Sequence, residues 1–189
     1  DVYKRQGVRT ANDHYELIVL NDTREAWKGS WKVERMTLAG EVLASQTFDV
    51  ELDAVSHVGL PLAEEIVDYA DAGNELVVAT ASDGAFARVI FNPAEVIGQK
   101  LAAPAEAFET VASRVDGGVE LKVTATSYVR DLFCMADKID AKASVDAGMV
   151  SLLPGESVTL RIDTGSDDDP QSFAAANVLR SANDLKREW

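Results

Sequence analysis

Carboxylates are the groups with which this sequence could most readily do chemistry: it carries 32 Asp and Glu against 18 Lys and Arg. Two carboxyl groups held about 5–5.5 Å apart over a cleft would cleave a glycosidic bond with retention. The acids best placed to be read, Glu16, Glu34, Glu51 and Glu120, each sit on the polar parity of an alternating segment. They should face solvent and keep strand surfaces soluble rather than converge. Asp167, Asp168 and Asp169 form the densest acidic run. A calcium loop spaces its oxygen ligands so that the chain can wrap the ion. Three adjacent aspartates before Pro170 read instead as a solvated turn, and no metal ligand or cofactor is assigned. Nucleophilic chemistry fares no better. The single cysteine, Cys134, lies in an apolar run, and the two histidines, His14 and His57, are remote from it in sequence. An activated thiol needs an adjacent base, so Cys134 reads as a small buried hydrophobe. Both histidines fall inside strand-like segments, where a partly exposed sheet residue is expected. No phosphate-binding loop, dinucleotide glycine fingerprint or nucleophile elbow occurs. No catalytic residue is assigned.

Aromatic rings are the other groups that could engage a ligand, because sugar C–H groups pack on π-faces. Trp27, in the connection from Asp22 to Gly29, and Tyr128 are the candidate carbohydrate contacts. Trp31 belongs to an apolar stripe and is read as core. For Trp27 the competing expectation is that it caps a sandwich or docks on a neighbouring domain.

The elements that must position these residues are strands. His14 to Asn21 sets Tyr15, Leu17 and Val19 against Glu16, Ile18 and Leu20. Ser30 to Leu38 places Trp31 and Val33 on one face and resumes with Met36 and Leu38 on the opposite parity, as a bulge would require. Val42 to Leu52 alternates most cleanly, which suits an antiparallel sheet with one wet face. Val55 to Leu62 reads as a strand, Ala63 to Ala70 as a helical turn or two, and Glu75 to Ser82 with Phe86 to Phe91 as a hairpin about Asp83-Gly84. Alternation lapses from Pro93 to Ala107. Strands then resume at Phe108 to Arg114, Val119 to Ala125, Ser127 to Met135, Val150 to Leu153 and Val158 to Ile162. Asp116-Gly117-Gly118 and Pro154-Gly155 turn the chain between them, the latter as a type II turn. A last strand is expected at Ala176 to Arg180. About six strands per half, with turns roughly every ten residues, predict two consecutive immunoglobulin-like antiparallel β-sandwich domains in an all-β fold. Their expected bounds are 7–95 and 107–189, with a linker at 96–106. Residues 1–6, DVYKRQ, resemble a translated library adapter and are set apart as an artefact.

Composition limits the partners. A net charge of −14 repels nucleic acid. No apolar run approaches the ~20 residues that span a bilayer, so no membrane partner is expected. A lone cysteine slightly favours a reducing, cytoplasmic compartment.

A family resemblance rests on specific segments. Ser127 to Ile162, SYVRDLFCMADKIDAKASVDAGMVSLLPGESVTLRI, resembles the last immunoglobulin-fold domain of glycoside hydrolase family 2 β-mannosidases, with Leu152-Leu153-Pro154-Gly155-Glu156-Ser157 as its most specific piece. Asp131, Asp137 and Asp140, then Asn177-Val178-Leu179-Arg180 and Asn183-Asp184-Leu185, are similar to the same domain's later pattern. Tyr15 to Leu43 looks like the Ig/CBM-like domain before it, through the Leu20-Asn21-Asp22-Thr23 and Gly40-Glu41-Val42 turns. The resemblance covers nearly all of residues 10–185. It implies a parent enzyme that removes terminal, non-reducing β-linked mannose by a retaining mechanism, using two glutamates on a (β/α)₈ barrel. The barrel would lie upstream, in the same polypeptide, as the partner of these domains. No residue here matches the family's catalytic glutamates, so the chain alone is expected to be inactive. An apolar docking patch for the barrel is expected near Trp27 or the Ala63–Ala70 segment. Two other functions fit the residues: a carbohydrate-binding module that takes an oligosaccharide on exposed rings, and a structural or adhesive sandwich.

Overall fold

The computed structural model describes residues 4–11 and 14–185. The strands run β1 (Lys4–Ala11), β2 (His14–Asn21), β3 (Trp27–Thr37), β4 (Val42–Leu52), β5 (Ser56–Pro61), β6 (Glu75–Ala81) and β7 (Val89–Phe91), then β8 (Phe108–Val115), β9 (Gly118–Ala125), β10 (Val129–Cys134), β11 (Ser144–Val145), β12 (Val150–Leu152), β13 (Ser157–Asp163) and β14 (Leu179–Arg180). Single helical turns, α1 (Glu64–Val67) and α2 (Pro104–Ala107), interrupt them. All pairings are antiparallel.

The chain divides into two compact units. The first holds the described residues up to Thr37 together with Glu41–Glu95; the second holds Leu38–Gly40 and the described residues from Val96 on. Each unit is an immunoglobulin-like sandwich of a three-stranded and a four-stranded sheet. In the first the orders are β1-β2-β5 and β4-β3-β6-β7; in the second, β12-β10-β14 and β11-β13-β9-β8.

Side chains of both sheets fill the core of each sandwich. In the first, Leu17, Val19 and Leu60 from one sheet meet Trp31, Val33, Val50 and Val77 from the other. In the second, Val129, Leu132 and Leu179 meet Leu121, Val123, Leu160 and Ile162. Strict alternation makes this possible: residues two apart share a face, so every second apolar residue reaches the core. The expected α-turn after β5 is present, and Ile66 of α1 is buried in the first core.

Lys4–Gln6, set apart in the sequence reading, form the start of β1 and pair with Val19–Asn21. Three details differ from that reading. The change of parity in β3 has another cause than a β3 bulge. Pairing of β3 with β6 is unbroken, and the register shift on the β4 side leaves Leu43 as the additional residue of β4. On β3 the face of Val33 continues into Arg35, a charged residue paired within the sheet, while Met36 and Leu38 are buried at the other parity. Phe86 does not begin β7. Its ring leaves the hairpin for the core, edge-on to Trp27 at 4.9 Å and to Trp31 at 5.2 Å, so β7 starts at Val89. In the second unit, the 3₁₀ turn Pro170–Ala174 carries Phe173 into the core, and the final strand shortens to Leu179–Arg180.

The glycine turns are as their chemistry demands. Gly117 closes the β8–β9 hairpin at φ +73° and Gly155 turns the chain between β12 and β13 at φ +85°. At the latter, Glu156 N donates to Leu153 O at 3.0 Å, as a type II turn requires.

Candidate functional site

The surface carboxylates are engaged by neighbours on their own sheets. Glu16 accepts from His14 Nε2 at 3.1 Å and from Arg9 at 3.3 Å, and those contacts, led by His14, hold its carboxyl below the usual range. Glu51 is bonded to Lys28 across β3 and β4, which lowers its own protonation and raises that of the lysine. Glu34 lies 2.7 Å from Lys32, and Glu120 reaches Arg161 at 4.0 Å. Such pairs decorate a solvated face; none brings two carboxyl groups together over a cleft.

The acids in the second unit organise loops. Asp140 accepts from Lys142 N, Thr164 Oγ1 and Gly165 N, and these bonds, the Lys142 amide first, hold its pKa down. Asp168 accepts from Ser166 Oγ, and Asp169 caps the Pro170–Ala174 turn by accepting from Gln171 N at 3.0 Å. That cap followed by proline is a helix-start signal. Among the described residues no three His, Cys, Asp or Glu side chains are grouped to hold a metal ion.

Cys134 packs against the second core with its Sγ 3.8 Å from Phe173 O. Burial, reinforced by Asp137, pushes its thiol up to about 11, the opposite of what a nucleophile requires. His57 is exposed on β5.

The two aromatic candidates are buried and in different units. Trp27 is 6 % exposed, stacked edge-on against Phe86, and donates Nε1–H to Asp83 Oδ2 at 2.7 Å. Tyr128 is 1 % exposed, and its carbonyl accepts from Asn183 Nδ2 at 3.0 Å. Neither ring offers a face to solvent, so a platform of the two is not formed. Asn183 is the better-connected residue there: its Oδ1 accepts from Arg130 N, and its Nδ2 donates also to Ala102 O. It is buried and polar, as is Glu75, and alternation flags neither.

Among the described residues, no large apolar side chain near Trp27 or in the Ala63–Ala70 segment is exposed. Trp27 is spent on the core, and α1 buries its Ile66. Among the described residues the exposed large apolar ones of the first unit are Val42, Leu43 and Val55; in the second they are Ile97, Val111, Met149 and Leu185.

The fold defines the class: a tandem of immunoglobulin-like β-sandwiches. Within it, residues 13–83 match the family model of the mannosidase Ig/CBM-like domain. The segment Tyr15–Leu43, which carried the resemblance in the first half, falls inside that match. No curated protein matches the chain. Among solved structures it is similar to the β-D-mannosidase of Dictyoglomus thermophilum, with 14 % identity and a TM-score of 0.64 over 94 % of this chain and 21 % of that one. It is also similar to the exo-chitosanase CsxA of Amycolatopsis orientalis, with 16 % identity and a TM-score of 0.51 over 94 % of this chain and 25 % of that one. At these identities the likeness is one of fold. The chain spans about a fifth to a quarter of the length of these two proteins.

Proposed function

We propose that this chain is the non-catalytic C-terminal accessory part of a β-mannosidase, and that the parent enzyme removes terminal non-reducing β-D-mannose by a retaining mechanism on an upstream barrel. The observation that carries the reading is the mannosidase Ig/CBM-like match at residues 13–83, followed in the same chain by a second sandwich. That second sandwich contains the segment Ser127 to Ile162, which resembles the last domain of the same family. The dispersal of the carboxylates agrees too, since a retaining site would hold two about 5–5.5 Å apart.

In this role the sandwiches supply stability and shape. Their cores bury large aromatic and branched side chains, while the reacting groups belong to the barrel. The test is the undivided natural polypeptide. It is expected to encode a (β/α)₈ barrel ahead of these domains, with two glutamates at strand ends, and to hydrolyse an aryl β-mannoside. A reading frame with no barrel, or a purified product that leaves the mannoside intact and cleaves a different glycoside, would contradict the assignment.

A further inference from the structure

We propose that the Asp116-Gly117 turn between β8 and β9 is a site of spontaneous aspartyl isomerisation, promoted by Arg161, and that the Asp83-Gly84 turn is protected from it by Trp27. These are the two Asp-Gly pairs in the sequence. In such a pair the following amide nitrogen can close on the aspartyl side chain, because glycine has no Cβ to obstruct the approach. Gly117 N attacks Asp116 Cγ and gives up its proton. One carboxylate oxygen leaves as water, taking that proton and one from solvent, and a five-membered succinimide remains. Water then opens the ring. Opening at the former main-chain carbonyl returns the solvent proton and leaves an isoaspartyl residue, whose main chain runs through the old side-chain carbon.

Both reacting groups of Asp116-Gly117 are open. The two residues are exposed, and among the described residues no hydrogen bond or ion pair engages the Asp116 carboxyl or the Gly117 amide N–H. The carbonyl between them, by contrast, is held: Arg161 Nη2 donates to Asp116 O. That oxygen is conjugated with Gly117 N. A guanidinium bonded to it draws electron density from the amide and stabilises the nitrogen anion that attacks. Arg161 also favours the isoaspartyl product. The oxygen it holds becomes part of a free α-carboxylate, and a bond between two charged groups is stronger than one to a neutral carbonyl.

At Asp83-Gly84 the same chemistry is held back. Asp83 Oδ2 accepts from Trp27 Nε1 at 2.7 Å, and Oδ1 accepts from Ala85 N at 2.9 Å. Both carboxylate oxygens are engaged, one of them by a ring that is itself buried in the core. The side chain must leave these bonds before Gly84 N reaches Cγ. Breaking even one bond to a charged group slows the reaction by about tenfold or more. Isomerisation at Asp116 has a local consequence, since it adds one carbon to the main chain of the turn. Val115 pairs with Gly118 across that turn, and Thr164 N donates to Gly117 O at 3.3 Å. The added length loosens these contacts at the end of the β8–β9 hairpin.

The experiment holds the folded 189-residue chain at pH 6 and 37 °C in water enriched in oxygen-18, then digests it in ordinary water. Ring opening incorporates one heavy oxygen, so mass spectrometry reads the rate at each Asp-Gly pair, and backbone fragmentation distinguishes isoaspartate from aspartate. The Asp116 peptide should convert about tenfold or more faster than the Asp83 peptide. In urea, where neither Trp27 nor Arg161 is in place, the two should convert at similar rates. Trp27→Phe, which lacks the indole donor, should raise the Asp83 rate and leave the Asp116 rate as it was. Arg161→Met should lower the Asp116 rate alone. Arg161→Lys, which keeps a cation, should fall between and serves if the Met variant does not fold. An isoaspartyl-specific methyltransferase should label the aged wild type and not aged Asp116→Ser. Conversion at Asp116 no faster than at Asp83 in the folded chain overturns the proposal. So does a wild-type rate at Asp116 in the folded Arg161 variants, or at Asp83 in folded Trp27→Phe.

Discussion

Arg35 of β3 donates Nη1–H to Glu75 of β6 at 3.0 Å, with the two side chains only 14 % and 4 % exposed. The carboxylate is completed from its other oxygen by Asp71 N at 2.8 Å, and the guanidinium also bonds Asp68 O. An ion pair thus occupies the row where alternation would continue the apolar core. It ties the end of the four-stranded sheet to the loop that follows α1.

Removing one partner of this pair should be far worse than removing both. Glu75→Ala leaves a guanidinium buried without its counter-charge and should cost the first unit about 3–5 kcal/mol. Arg35→Met combined with Glu75→Leu should restore part of that loss, because the desolvation of both charges disappears. Urea unfolding followed by the fluorescence of Trp27 and Trp31, both in the first unit, measures it. A loss in the double variant equal to the sum of the losses from Arg35→Met alone and Glu75→Leu alone would show that the charges are not coupled.

Trp27 should act through packing. Trp27→Ala removes a ring wedged against Phe86 and its bond to Asp83, and should destabilise the first unit by about 3–5 kcal/mol. Trp27→Phe keeps part of the core filled and should cost less. Calorimetric titration with a β-mannoside is the companion measurement. Heat of binding by the wild type that vanishes in the Phe variant would assign the ring to a ligand instead.

How far the sequence could be read follows from what periodicity reports. It records which face a strand buries, so β2, β4, β9 and the hairpin at Gly117 were legible in advance. It is silent about polar residues that are buried with partners. Glu75 and Asn183 were invisible for that reason, and the Arg35 step in β3 looked like a bulge. Phe86 was assigned to a strand because its spacing fitted; only the positions of Trp27 and Trp31 show why it turns inward. Phe173 lay beyond an acidic stretch read as solvated. The Asp169-Pro170 helix-start pair was the one local signal that could have marked the turn. The burial of Trp27 was hidden for a related reason: membership of a connection says nothing about whether a side chain is folded back.

Alkaline pH should weaken the fold through Cys134. Its thiol keeps the proton up to about 11 in the folded chain, against an ordinary 9.0. Between those values the unfolded chain binds fewer protons than the folded one, so stability is complete below pH 9 and falls as pH rises toward 11. Burial raises Tyr69 to about 12 in the same sense and extends the fall. Cys134→Ala should flatten the first part of the decline. Native chain should also react slowly with a thiol reagent at pH 8 and rapidly once denatured; fast native reaction would show an open thiolate.

Gly118 admits no side chain. A Cβ there would stand 2.0 Å from Ile162 O, where β9 pairs with β13. Gly118→Ala must push the strands apart and should cost about 1–3 kcal/mol. Gly148→Ala, whose Cβ would meet nothing within 4 Å, is the control and should be neutral. Thermal melts by circular dichroism distinguish them, and equal melting temperatures would mean that the β9–β13 pairing yields freely.

The proposed division of labour between this chain and a catalytic barrel is tested most directly by incubating the purified 189-residue protein with an aryl β-mannoside. Release of the aryl group at the rate of buffer alone is the result that the proposed non-catalytic role predicts. Saturable turnover that tracks the protein through purification would place reacting groups within these two sandwiches and contradict the account.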